Sequence, residues 1–244
     1  MSVFRYPVNV DWIDGLPEIP FHDGVGAYTC VVMHYTDSPH DTAKGERNYE
    51  AGHYQDAFVH EFIDPKEIIQ VANPDYIAYG AGHEINPYAI HLELCHADNQ
   101  QDFDLSYDMW CERAAEYLFK NKLSVSKAQA DGSGTLWSHY DVTHILGGTD
   151  HEDPIEYLAK WGKTWQDVID TVSRYYDALV NGDIWKPEDN GGIIVSDNKT
   201  IDQWKVDALT WLKENKLITQ DHEVDAQVTW AELGVVIQRL KEAK

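Results

Sequence analysis

Tyr28-Thr29-Cys30-Val31-Val32-Met33-His34-Tyr35 decides how this chain is built. The run is nearly all apolar and of strand length, which suits a central strand buried on both faces. Further on, Tyr88 to Cys95 alternates: Ile90, Leu92 and Leu94 face one way, His91 and Glu93 the other. Phe58 to Ile63 and Glu67 to Val71 flank Asp64-Pro65-Lys66 and read as a hairpin. Arg47 to Ala57 is expected to be helical, after a polar loop over 36–48. Tyr107 to Lys120 carries Trp110, Ala114, Tyr117 and Leu118 on one helical face. Thr164-x-x-Asp167 has the form of a capping box and opens a helix expected to reach about Leu179. Strands mixed with helices, with tight turns between some strands, predict an α/β fold: a mixed central β-sheet flanked by helices. Residues 1–27, punctuated by Pro7, Gly15, Pro17, Pro20, Gly24 and Gly26, read as an irregular arm over that domain.

The composition of Asn181-Gly182-Asp183, Lys186-Pro187 and Asn190-Gly191-Gly192 marks a linker. The expected organisation is therefore a main domain over 1–180, a linker over 181–199 and a small helical module over 200–244. In that module Thr200-x-x-Gln203 and Thr229-x-x-Glu232 each open a helix. A unit so small has little core of its own, which points to self-association or to docking on the main domain.

The formal net charge of −23 excludes nucleic-acid binding through a basic patch. It also sets the chain as a whole against anionic polymers and membrane surfaces, so affinity for such targets has to come from shaped pockets or bound cations. No apolar run approaches the roughly 20 residues of a membrane span. Met1-Ser2-Val3-Phe4-Arg5-Tyr6-Pro7 has no apolar signal-peptide core, so synthesis in the cytoplasm without a leader is expected. Three widely spaced cysteines, Cys30, Cys95 and Cys111, give no disulfide framework.

All but one of the 12 histidines precede residue 152, so histidine chemistry belongs to the main domain. His34 closes the decisive strand. His139 opens Ser138-His139-Tyr140-Asp141, and Asp153 follows in Asp150-His151-Glu152-Asp153-Pro154. Two imidazoles and a carboxylate suit zinc and leave a fourth position for water, whose pKa the ion lowers to about 7. Asp150, Glu152 and His144 compete for ligand positions, and Asp141 is either a supporting group behind a ligand or a turn cap. Glu93, on its buried strand, is the candidate general base.

These segments, in this order, resemble the zinc-dependent N-acetylmuramoyl-L-alanine amidases, which share a fold with the peptidoglycan recognition proteins and include many phage endolysins. The resemblance spans about residues 28 to 178 and rests on the strand ending in His34, Phe58 to Gln70, Leu92-Glu93, and His139-Tyr140-Asp141 to Asp153-Pro154. It implies Zn2+ held by His34, His139 and Asp153, with Glu93 as the proton shuttle. His151 then stands where many relatives carry a lysine that stabilises the oxyanion. Tyr79 and His83, in Ala78-Tyr79-Gly80-Ala81-Gly82-His83, and His60 are implied walls of the substrate groove, with a core role for His60 equally open.

The implied activity is hydrolysis of the amide between N-acetylmuramic acid and L-alanine in bacterial peptidoglycan, as in an endolysin lysing a Gram-positive host. Two alternatives are a non-catalytic peptidoglycan-binding protein and a cytosolic amidase that recycles soluble muropeptides. The stretch Trp204 to Leu233 weakly resembles one S-layer-homology repeat, which implies binding to a secondary wall polymer; a helical oligomerisation module is the other reading.

Overall fold

The computed structural model describes residues 6–182. The expected linker over 181–199, from residue 183 onward, and the expected helical module over 200–244 lie outside the described residues. Six strands form one sheet in the order β1-β4-β3-β5-β2-β6: β1 (Val8–Val10), β2 (Cys30–Tyr35), β3 (Glu61–Ile63), β4 (Ile68–Gln70), β5 (Ala89–Leu94) and β6 (Leu136–Ser138). β3, β5, β2 and β6 run parallel, while β4 turns back antiparallel on β3 and β1 runs parallel to β4. The mixed sheet flanked by helices is the architecture the sequence implies.

β2 lies between β5 and β6, and all six of its residues are buried, as its unbroken apolar run requires. The helices are α1 (Ala43–Glu50), α2 (Gln100–Lys120), α3 (His139–Asp141), α4 (Ile155–Lys160) and α5 (Trp165–Asn181), with a π-helical turn, Val142–Leu146, after α3. α2 and α5 cover one face of the sheet. There Val31, Met33, Ile90, Leu92 and Leu94 pack with Trp110, Ala114, Leu118, Val168 and Val172 in the main core. Trp110 is fully buried and donates its indole N–H to the Leu92 carbonyl at 3.0 Å, so the largest side chain of this layer leaves no polar atom unmet. On the other face, Cys30, Val32, Ala89, Trp137 and Val142 form a smaller cluster.

Several boundaries differ from the sequence reading. Within the arm, Val8–Val10 joins the sheet as an edge strand against Ile68–Gln70. α1 begins at Ala43, not Arg47, because Thr42 caps it by accepting from the Gly45 N–H and Asp64 accepts from the Ala43 N–H. It ends at Glu50, and residues 51–56 form turns. α2 starts at Gln100, seven residues before the expected Tyr107, on the cap Asn99, which accepts from the Asp102 N–H. The Thr164 capping box is present, and α5 closes at Gly182, whose φ of 70° is the left-handed conformation that glycine tolerates.

Candidate metal centre and cleft

Parallel register gathers the site. His34 of β2 lies directly opposite Glu93 of β5, and Met33 opposite Ser138, so His139 emerges next to His34 at the same end of the sheet. This is the carboxyl end of β2, β5 and β6, where parallel strands present functional side chains. Ser138 caps α3 through a capping box with Asp141, which settles Asp141 as the residue that fixes the turn bearing His139. Asp153 comes in from the loop after the π-turn, and one carboxylate oxygen accepts the Tyr35 N–H at 3.1 Å.

Nδ1 of His34 and Nδ1 of His139 are 3.0 Å apart. Asp153 Oδ1 is 3.1 Å from His139 Nδ1, and its Oδ2 is 3.6 Å from His34 Nδ1. Zinc bonds of about 2.1 Å give a tetrahedron with edges of about 3.4 Å, so the three donor atoms already stand at ligand spacing. Each imidazole is engaged through its far nitrogen: His34 Nε2 with His91 Nδ1 at 3.1 Å, and His139 Nε2 with the Thr149 hydroxyl at 3.0 Å. Two Nδ1 atoms 3.0 Å apart need either a shared proton or a metal cation between them, since two bare lone pairs would repel. The donor set therefore fits a divalent ion. Among the described residues no other group of histidines, cysteines and acids gathers this way. Of the competing ligands, His144 pairs instead with exposed Glu152 at 3.0 Å, and Asp150 and Glu152 lie on the cleft wall.

The electrostatics follow from burial. The His34 pKa is pushed down to about 4 by loss of solvent, against the pull of Asp153. Burial opposes ionisation of Asp153 too, but the imidazoles of His139, His151 and His34 beside it hold its carboxyl well below the usual range. Glu93 shows the reverse. Burial and the carboxylates of Asp153, Glu50, Glu46 and Asp41 push its pKa well up, and its Oε2 is buried without a protein partner.

The centre opens into a cleft of about 610 Å3. Its walls include Glu93, His139, His151 and Asp153, together with Glu46, Tyr49, Glu50 and His53 from α1 and the turn after it, and Tyr157 and Lys160 from α4. Glu50 was not singled out from sequence. It is 6% exposed, accepts the Val59 N–H at 2.8 Å through Oε1, and leaves Oε2 unpaired. Burial first, and the neighbouring Glu46 carboxylate, push its pKa up to about 8 against the Val59 N–H and Arg47. No local pattern distinguishes this acid from the solvated ones around it; only the fold shows that its helix end is covered.

His151 stacks on His139 at 4.7 Å between ring centres, with Nδ1 3.7 Å from Asp153, and its side chain is 66% exposed. The implied groove residues are placed differently. His60 is fully buried: its Nδ1 accepts the His91 N–H and its Nε2 donates to the Tyr76 carbonyl, so it belongs to the core and not to a groove wall. Tyr79 packs edge-on against Phe58, and His83 is an exposed partner of Glu84. Neither lines this cleft, which takes Gly80 from their segment.

A sequence profile described as N-acetylmuramoyl-L-alanine amidase matches residues 25–156. The chain is 35% identical over 169 residues to the bifunctional autolysin of Staphylococcus aureus strain N315, which is 69% of this chain but 14% of the autolysin. It thus spans about one seventh of that relative's length. Among solved structures, S. aureus hydrolase AmiA in complex with its ligand aligns with a TM-score of 0.71 at 33% identity, over 75% of this chain and 90% of AmiA. A mutant endolysin from Bacillus subtilis shares the fold, with a TM-score of 0.51 at 15% identity over 69% of this chain and 99% of the endolysin. A profile over more than half of the sequence, and a match to nine-tenths of the solved AmiA chain, make this chain a member of the N-acetylmuramoyl-L-alanine amidase family.

Proposed function

We propose that this chain hydrolyses bacterial peptidoglycan at the amide between the lactyl group of N-acetylmuramic acid and the L-alanine of the stem peptide, as a wall-lysing enzyme of the endolysin kind. The observation that carries the reading is the convergence of His34, His139 and Asp153 within 4.8 Å, at the end of a cleft that also holds Glu93. His34, His139 and Asp153 are the proposed zinc ligands. Zinc bound there would polarise the scissile carbonyl and acidify a water molecule.

The remaining steps belong to the protein. Glu93, whose hold on a proton is strengthened by burial and by its acidic neighbours, takes in its carboxylate form the proton from the attacking water and returns it to the departing amine. His151, exposed over the His139 ring, donates to the oxygen that gains negative charge. Tyr35 and Thr149 hold Asp153 and His139 in place. Family membership and the intact donor set favour an enzyme over a recognition module, since a protein that only binds has no need of an unpaired buried acid beside a metal centre.

Digestion of purified sacculi tests the proposal by mass spectrometry. Free stem peptides beginning with L-alanine are expected, lost on chelation and restored by zinc. Protein bound to intact sacculi with no peptide released would overturn it in favour of recognition, and cleavage of soluble muropeptides alone would favour a recycling enzyme.

A further inference from the structure

Behind the proposed ligands lies a histidine that the mechanism above does not use. His91, two residues before Glu93 on the same face of β5, is fully buried. Its Nδ1 is 3.1 Å from His34 Nε2, and its own Nε2 is buried with no protein partner. The ring lies parallel to that of His60, 5.9 Å away with a 4° interplanar angle, and its backbone N–H donates to His60 Nδ1. His60 is therefore protonated on Nε2, where it donates to the Tyr76 carbonyl, and presents a fixed plate to His91.

Only one proton can sit between His34 Nε2 and His91 Nδ1. If it belongs to His91, then neutral His34 carries its single N–H proton on Nδ1, aimed at Asp153 and His139, and the donor set is closed to a cation. If it belongs to His34, then Nδ1 is bare, the donor set is open, and His91 carries its proton on the unpartnered Nε2. A buried imidazole nitrogen with no partner is costly and uncommon. Its neighbour His34 is the one group that gains from the arrangement. Gly80 points the same way. A Cβ on Gly80 would stand 2.7 Å from His91 Nδ1 and 2.8 Å from its Cγ, although the backbone there would tolerate an ordinary residue. The glycine keeps room for this ring in this place.

We infer that His91 is a positioning residue for the metal centre: it accepts the His34 Nε2–H and so fixes the tautomer and the plane that turn His34 Nδ1 toward the ion. Partners of this kind usually are carboxylates or carbonyls, and their loss costs roughly 10- to 100-fold in metal affinity. Here an imidazole takes the place, held by His60 on one side and cleared by Gly80 on the other. The inference rests on the metal reading above, and the experiment separates the two.

Metal-free protein is titrated with zinc against a chromophoric chelator, for the parent chain and for His91→Phe, His91→Asn and Gly80→Ala, with near-ultraviolet circular dichroism checking each fold. Phe keeps the ring volume and stacking but has no acceptor; the Asn amide oxygen replaces Nδ1. A fall of roughly 10- to 100-fold is expected for H91F, with most of it recovered in H91N. G80A is expected to weaken binding in the parent and to add little on top of H91F, because both act through one ring. Unchanged affinity in H91F, or equal losses in H91F and H91N, would overturn the inference and leave the metal reading standing. If H91F does not fold, an unchanged G80A overturns it instead. A parent chain that binds no zinc removes the metal reading and this inference together.

Discussion

Glu61 and Glu93 lie on adjacent strands, on opposite faces of one sheet, and both are withdrawn from water. In register Glu61 meets Leu92 and Phe62 meets Glu93, so the first points into the α2 layer and the second into the cleft. Glu61 is fully matched. Arg113 donates to it through Nε at 2.8 Å, and Tyr117 and Gln70 donate at 2.6 and 3.1 Å. Burial alone would raise its pKa, but the Arg113 charge and these hydrogen bonds bring it below the ordinary value. Glu93 has no cation beside it, an unpaired oxygen, and carboxylates as its electrostatic neighbours. The same residue type thus serves as a closed structural contact on one face and as a group held in an unfavourable state on the other. Proteins accept such local cost where function needs it.

The largest expected effect breaks the cleft side of this pair. Glu93→Gln keeps the shape but cannot carry a proton between water and amine, so release of L-alanine-terminated peptides is expected to fall by about 10^2- to 10^4-fold. Stability should hold or rise, since a costly acid is replaced by a neutral amide. A variant with parental rate would show that proton transfer belongs to another group. Arg113→Met breaks the other side. It leaves Glu61 buried without its counter-charge, and urea unfolding should show a loss of about 3–5 kcal/mol, with kcat on muropeptides kept in the molecules that remain folded. Equal loss of activity in both variants would dissolve the distinction between the two faces.

That distinction was only half legible in the sequence. His34, Glu93, His139 and Asp153 stand at strand ends and beside a proline, where residue type and chain order signal a site, and the resemblance supplied their roles. Each was readable within its own segment. What joins them is the parallel register that sets His34 opposite Glu93, which no single strand encodes. For the same reason Glu61 read as an ordinary strand residue, since its match to Arg113 spans 52 positions. Glu50 read as one more acid on a helix. His60 was left open between groove and core because strand alternation tells which residues share a face but not what covers it. The helix starts at Ala43 and Gln100 were missed where Thr42 and Asn99 cap without a glutamate or glutamine three residues on, the stronger signal.

Glu50 sharpens the comparison through pH. Its folded pKa of about 8 stands above the ordinary 4.5. The folded state therefore keeps a proton that the unfolded chain releases, and stability from this group falls as pH rises from about 4.5 to about 8. Glu61 has the opposite sign: its contribution is present above 4.5 and is lost as pH falls through its lowered folded value. Glu50→Gln retains an oxygen for the Val59 N–H and removes the alkaline penalty, which is about 1.4 kcal/mol per unit of separation. Urea unfolding with chelator present should show the variant more stable than the parent at pH 8 and equal to it near pH 4.5. Equal stability at both pH values would mean that Glu50 ionises freely in the folded protein.

The smallest effect is expected at His83, whose contact with Glu84 at 2.9 Å is close to the 2.8 Å from Arg113 Nε to Glu61 but lies in water, with the imidazole 79% exposed. Distance is alike in the two pairs and desolvation is not, so they separate the two causes. An exposed pair is screened and contributes little, and His83→Ala is expected to shift unfolding by no more than about 0.5 kcal/mol, with kcat/KM changed less than about threefold, under 1 kcal/mol of transition-state binding. Tenfold loss of kcat/KM with unchanged stability would reverse the placement drawn from the cleft. The substrate groove would then run on past Gly80 along residues 81–83, and the sequence reading of His83 as a substrate contact would be the correct one.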